Sequence, residues 1–178
     1  MVHKVFRHAD VFPHEITVAP AVYTTRTTAK GVILNAHNKI VLVSKKGSGF
    51  YSLPGGGIEE GETPESALMR EAQEEVGCDI TILKKFATTE ECRDKTMELY
   101  KTDCFLARVL LEDEGSNFVP DDSMFGLENI WISRAEAAEL LYKQLIKIKL
   151  GSDNYYNRGF NSARDTFFVK TSLEINLL

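Results

Sequence analysis

Residues 56–78 read GGIEEGETPESALMREAQEEVGC, and this stretch fixes Gly56, Glu62, Arg70, Glu71, Glu74, Glu75 and Gly77 in one frame. Thr63-Pro64 reads as a helix start, because Thr is a good N-cap and Pro suits the first helical position. Helix formers follow from Glu65 to Val76, and Gly77 stands where a left-handed cap would end the helix. Leu68, Ala72 and Val76 recur at i, i+4, i+8 and predict the core-facing stripe. Glu71, Glu74 and Glu75 share another face, where like charges repel unless a cation sits among them. Hard carboxylate oxygens of this kind suit Mg²⁺ or Mn²⁺. Arg70 is placed to orient Glu71 or to neutralise the cluster in the absence of metal. The preceding Leu53-Pro54-Gly55-Gly56-Gly57 run leaves backbone groups free to approach metal or phosphate. Glu62 is placed to tie this loop to the helix start.

Taken singly, these features are bland. A run such as EEGE is ordinarily a solvated face, and a glycine triplet is ordinarily a turn. Seven fixed positions in one frame are another matter, with a chance probability of roughly one in a million at ordinary residue usage. The stretch resembles the Nudix box, and the chain is similar to the Nudix hydrolases, which cleave diphosphate linkages with divalent metal. The match departs from the family at Ala72 and Cys78, which are small where larger aliphatics are usual; both concern packing.

The resemblance implies an α/β fold, the Nudix α/β/α sandwich with a mixed β-sheet. It implies that Glu71 aligns or deprotonates the attacking water and also contributes to the metal site. Glu74, Glu75 and the Gly55 carbonyl are then further metal ligands, with Arg70 as a catalytic residue. Gly56, Gly57 and Glu62 serve the loop and the substrate phosphate. A carboxylate from outside the box often assists, and Glu128 is favoured over Asp121 and Asp122 because all three precede Trp131. The implied cofactor is Mg²⁺, or Mn²⁺, and the implied partner a small nucleotide.

Sequence features of several branches are missing. No proline follows the box before Pro120, Tyr100 lies too late for the diadenosine polyphosphate branch, and the segment upstream of the glycines does not resemble the coenzyme A branch. The NADH branch's tail is absent as well. What remains is a MutT-like hydrolase of nucleoside triphosphates or related nucleoside diphosphate derivatives. Two alternatives stand beside it: a Nudix-fold sensor that binds a nucleotide or nucleotide sugar without cleaving it, and a pyrophosphohydrolase acting on RNA 5′ ends. Sensors of this fold usually lack box carboxylates, all of which are present here.

At 178 residues the chain is expected to form one domain, 1–178, with 1–26 and 151–178 as peripheral extensions. A net charge of −5 argues against a nucleic-acid surface. No apolar run is long enough for a membrane helix, and MVHKVFRHADVFPHE is too interrupted for a signal peptide. Three separated cysteines, Cys78, Cys92 and Cys104, read as reduced, buried thiols of a cytoplasmic protein. The four histidines form no ligand spacing and read as surface residues. Homodimers are common in the family, and the terminal extensions are candidate surfaces for one.

Thr27–Leu34 and Lys39–Ser44 predict a hairpin around Asn35–Asn38, and Phe50–Leu53 a short strand into the glycine loop. Asp79–Glu90 and Met97–Leu111 predict an antiparallel pair, and Asn129–Ile132 another strand. Ser133 with Glu136 forms a capping box for a helix to about Tyr142. Within 1–26, Ile16, Val18, Val22 and Tyr23 are candidates for an added strand. GSDNYYNRGFNSARD reads as a polar loop, followed by an apolar Thr166–Leu178. In it Tyr155, Tyr156 and Phe160 beside Arg158 and Arg164 suit either of two tasks. They can stack a base and pair phosphate, or clamp this segment to the core or a second subunit.

Overall fold

The structure is a computed structural model, and it describes residues 1–110, 126–148 and 155–176. Asp121 and Asp122, Leu111, residues 151–154 and Leu177–Leu178 lie outside the described residues.

A seven-stranded mixed sheet carries helices on both faces, the α/β Nudix sandwich that the sequence leads one to expect. Its order is β1 (Val2–Phe6), β5 (Ile80–Arg93), β6 (Glu98–Val109), β2 (Thr24–Leu34), β3 (Ile40–Lys45), β4 (Tyr51–Ser52), with β7 (Leu127–Ile132) also on β3. β1 runs parallel to β5 and β2 parallel to β6, while the other pairs are antiparallel. Period-two alternation sorts the side chains of β2: Ile33 packs on α2 (Pro64–Val76), whereas Val32 and Leu34 pack on α3 (Arg134–Lys147) and α4 (Tyr155–Leu173). Both faces are therefore buried, which explains why Ala29–Leu34 reads as a continuous apolar run broken by Lys30 and Gly31. Gly31 is needed there, since a Cβ would stand 2.9 Å from Leu68 Cδ1. Among the described residues no helix is long and apolar enough to cross a membrane.

Several expectations need adjusting. The Asn35–Asn38 turn forms, with Asn35 Oδ1 accepting from His37 N and Lys39 N, but β2 and β3 share only the Leu34–Ile40 register pair. They splay, and the glycine loop fills the gap. The added N-terminal strand is β1, not the 16–23 segment, where Ile16 is 99% exposed and Val18 86%. α3 runs past Tyr142 to Lys147, starting from the expected Ser133–Glu136 capping box. His8 is buried rather than superficial, beside the Phe12 and Tyr156 rings.

The largest difference is α4, helical from Tyr155, where a loop was expected. Its Tyr156 and Phe160 join Phe6 and Phe12 in a small cluster, with Phe12 and Tyr156 stacked at 5.2 Å. These aromatics clamp the helix to the N-terminal segment, α1 (His8–Val11) and its flanks, and are not free to stack a base. Close approach depends on Gly159, where a Cβ would meet Phe12 Cε1 at 3.0 Å and Val11 Cγ1 at 3.1 Å. Gly159→Leu is expected to cost about 1–3 kcal/mol through overpacking, read as a lower urea midpoint. An unchanged midpoint would show that α1 does not dock here in solution.

Candidate functional site

The glycine loop is held along β2 as though it were a strand. Pro54 O accepts from Gly31 N (3.1 Å), Gly56 O from Ala29 N (3.0 Å), and Ile58 N donates to Thr27 O (3.1 Å). Gly55 has φ +122, a conformation that side chains rarely adopt, and a Cβ there would stand 3.0 Å from Lys30 Cα. At Gly56 a Cβ would stand 2.7 Å from the Glu71 carboxylate carbon. The loop thus needs glycine where it meets β2 and where it meets α2.

α2 begins and ends as the sequence indicates. Thr63 Oγ1 accepts from Ser66 N, Pro64 opens the helix, and Gly77 at φ +73 closes it. Ala67, Leu68, Ala72 and Val76 are buried, which turns Arg70, Glu71, Glu74 and Glu75 toward the loop. Arg70 organises the cluster: Nε donates to Glu62 Oε1 (2.9 Å), Nη1 to Glu71 Oε1 (2.9 Å) and Glu74 Oε2 (3.2 Å), and Nη2 to Gly57 O (3.0 Å). The Arg70 bond holds Glu62 below the usual carboxylate range, helped by Glu59 N. Glu75 turns the other way and accepts from Gly55 N at 2.7 Å. Burial pushes its pKa up, against Lys30 and the Gly55 N–H, which pull it down.

Among the described residues no three carboxylate, histidine or cysteine groups converge as a ready metal cage. Glu71 and Glu74 are engaged by Arg70, and Glu75 by the loop. The donor set nevertheless fits a hard divalent cation: three carboxylates on one helical face, beside a loop whose missing Cβ leaves room for Glu71. The Gly55 carbonyl accepts from Lys30 Nζ, as does Leu53 O at 2.9 Å.

Glu128 stands on β7. It lies opposite Ser44 across the β3–β7 ladder, on the α3–α4 face, where it accepts from the Tyr51 hydroxyl at 3.4 Å. Its neighbour Asn129 reaches α2, donating to Glu75 O at 3.0 Å.

Sequence reasoning missed the groups behind the loop. Lys30, on β2, is only 9% exposed, and burial pushes its ammonium below the usual lysine range. Asp165, on α4, is fully buried and accepts from Leu53 N (3.0 Å) and from Arg164 Nε (2.7 Å). Fully buried Glu91, on β5, accepts from Arg164 Nη1 (3.3 Å) and Arg93 Nε (3.0 Å). A helix expected to be a loop therefore grips the entrance of the glycine loop. Beside it a cavity of about 570 Å³ opens, lined by Gly56 and Gly57, by Lys30, Arg93 and Arg164, and by Tyr100.

A family model described as the NUDIX domain matches residues 24–151. The chain is 46% identical over 57 residues, 30% of its length and 51% of the relative's, to an 8-oxo-dGTP diphosphatase of Proteus vulgaris. It is 43% identical over 58 residues, 33% of its length and 34% of the relative's, to an RNA pyrophosphohydrolase of Vibrio atlanticus. The chain thus spans about half or less of these curated relatives. A solved NUDIX hydrolase from Nitrosomonas europaea superposes with a TM-score of 0.52 at 20% identity, covering 80% of this chain and 91% of that one. That likeness concerns the fold alone.

Proposed function

The chain belongs to the Nudix family, and from that premise we propose that it hydrolyses a diphosphate linkage in a nucleoside triphosphate or related nucleotide, in a single domain that includes both terminal extensions. The observation that carries the reading is the in-frame carboxylate face of α2 set against a glycine loop that leads into a cation-lined cavity.

Glu74 and Glu75, with the Gly55 carbonyl and Glu71, are the groups that would hold Mg²⁺ or Mn²⁺. Such a cation, when bound, lowers the pKa of a coordinated water and screens the charge of the diphosphate oxygens. Glu71 orients the attacking water and accepts its proton. Arg70 fixes Glu71 by its 2.9 Å bond and ties α2 to the loop through Gly57 O. Lys30 and the loop amides face an anionic substrate, which the protein's net charge of −5 would otherwise repel. Glu128, on the α3–α4 face that also carries Lys30, is the candidate for the assisting carboxylate from outside the box.

Release of phosphate or pyrophosphate, with Mg²⁺ and then Mn²⁺, tests the reading across canonical and oxidised triphosphates, nucleotide sugars, dinucleoside polyphosphates and 5′-triphosphate RNA. One small nucleotide is expected far ahead of the others. Tight binding of a nucleotide with no turnover would replace the enzyme by a sensor. The similarity to an RNA pyrophosphohydrolase supports a second reading. It requires RNA to lead the panel and its affinity to fall steeply as salt rises.

A further inference from the structure

The cavity beside the glycine loop holds an unfilled donor. Arg164 is 3% exposed, bonds Asp165 through Nε and Glu91 through Nη1, and lines the cavity. Its Nη2 has no hydrogen-bond partner among the described residues. Nη2 is the edge of an otherwise buried guanidinium that opens on the cavity, where a ligand can reach it. Lys30 stands beside it, with two of its three N–H groups on Leu53 O and Gly55 O.

The charged residues that line the cavity, Arg26, Lys30, Arg93 and Arg164, are all cations. Lys30, Arg93 and Arg164 face two fully buried carboxylates, Glu91 and Asp165. Arg26, at the cavity mouth, is paired with Glu98 at 2.6 Å. Glu75 approaches Lys30 from the α2 side. Arg93 is already spent: Tyr100 covers one face at 3.8 Å and Phe160 lies 5.5 Å away, while its edges bond Glu91, Asn157 and Asn161. Tyr100 in turn has a face covered, so the cavity offers little aromatic shelf for a base. The open donors belong to Arg164 and Lys30, held rigid from behind and aimed at an anion.

We propose that Arg164 and Lys30 form an anion site on the cavity side of the glycine loop. It takes the terminal phosphate of the substrate, the one that the α2 carboxylates do not hold. The inference rests on the hydrolase reading for what it calls substrate. A terminal phosphate carries more charge than an internal one, and a cation-rich pocket selects for that density. The protein therefore prefers chains that end in a free phosphate over diphosphate diesters such as nucleotide sugars. Arg164 comes from α4, outside the region matched by the family model.

Binding of inorganic pyrophosphate in metal-free buffer, followed by calorimetry, is the test. The wild-type protein is expected to bind, and Arg164→Lys to bind roughly 10- to 100-fold more weakly. Asn161→Asp supplies a check that spares the buried network: it keeps the acceptor for Arg93 and adds one negative charge to the cavity. It should weaken binding as well. No binding by the wild type, or equal binding in Arg164→Lys and Asn161→Asp, overturns the anion site even if turnover is normal. Binding that depends on Arg164 in a protein inactive on every nucleotide upholds the site and removes only the hydrolase reading.

Discussion

Glu75→Gln is expected to lower turnover by roughly 100- to 10,000-fold while leaving the protein folded. The substitution keeps the size and the acceptor for Gly55 N, and removes only the charge that the chemistry needs. It should also raise the melting temperature of the metal-free protein at neutral pH. Burial lifts the Glu75 pKa above its unfolded value, so the folded state holds the proton more tightly and ionisation costs stability. That cost is fully present above the folded pKa and absent below the unfolded one, near pH 4. The gain from Gln should accordingly be seen at pH 8 and vanish in acid. Glu74→Gln should also lose turnover, with a smaller change in stability, since Glu74 is half-exposed. Near-normal turnover in both variants would sink the assignment of the site. A melting temperature that falls in step with activity would assign these carboxylates to structure instead.

What could be read from the chain was what neighbours in sequence decide. Caps, the Leu68–Ala72–Val76 stripe and the Asn35 turn are local, and each is where the residues place it. α4 failed this kind of reading because its buried face is partly polar: Gly159, Ser162, Arg164, Asp165 and Thr166 break the apolar period that signals a helix. The burial of Arg164 and Asp165 is compensated by Glu91 and Leu53, which lie far away in sequence. Lys30 carried a faint signal as a lone cation inside the run Thr28–Leu34, where both faces of the strand are buried. The face of Glu128 was legible by parity alone. Trp131 packs on the α2 face, so Asn129 shares that face and Glu128 cannot.

Asp165→Ala should be among the most damaging single changes in the protein, although it lies outside the box. The carboxylate is fully buried, and its removal leaves Leu53 N without an acceptor and takes one of two counterions from Arg164. Breaking a buried pair from one side costs about 3–5 kcal/mol. For a chain of this size that is a melting temperature lower by roughly 10 °C. Asp165→Asn should fall between, since it can still accept from Leu53 N but offers no charge. The effect should reach the loop too: Leu53 N and O are held by Asp165 and Lys30, two residues before Gly55. In the Asn variant, still folded at 20 °C, turnover should therefore drop further than the unfolded fraction explains. Melting of Asp165→Ala within about 2 °C of wild type, well inside the predicted loss, would show that α4 does not hold the loop. An Asn variant with full turnover per folded molecule would confine its role to stability.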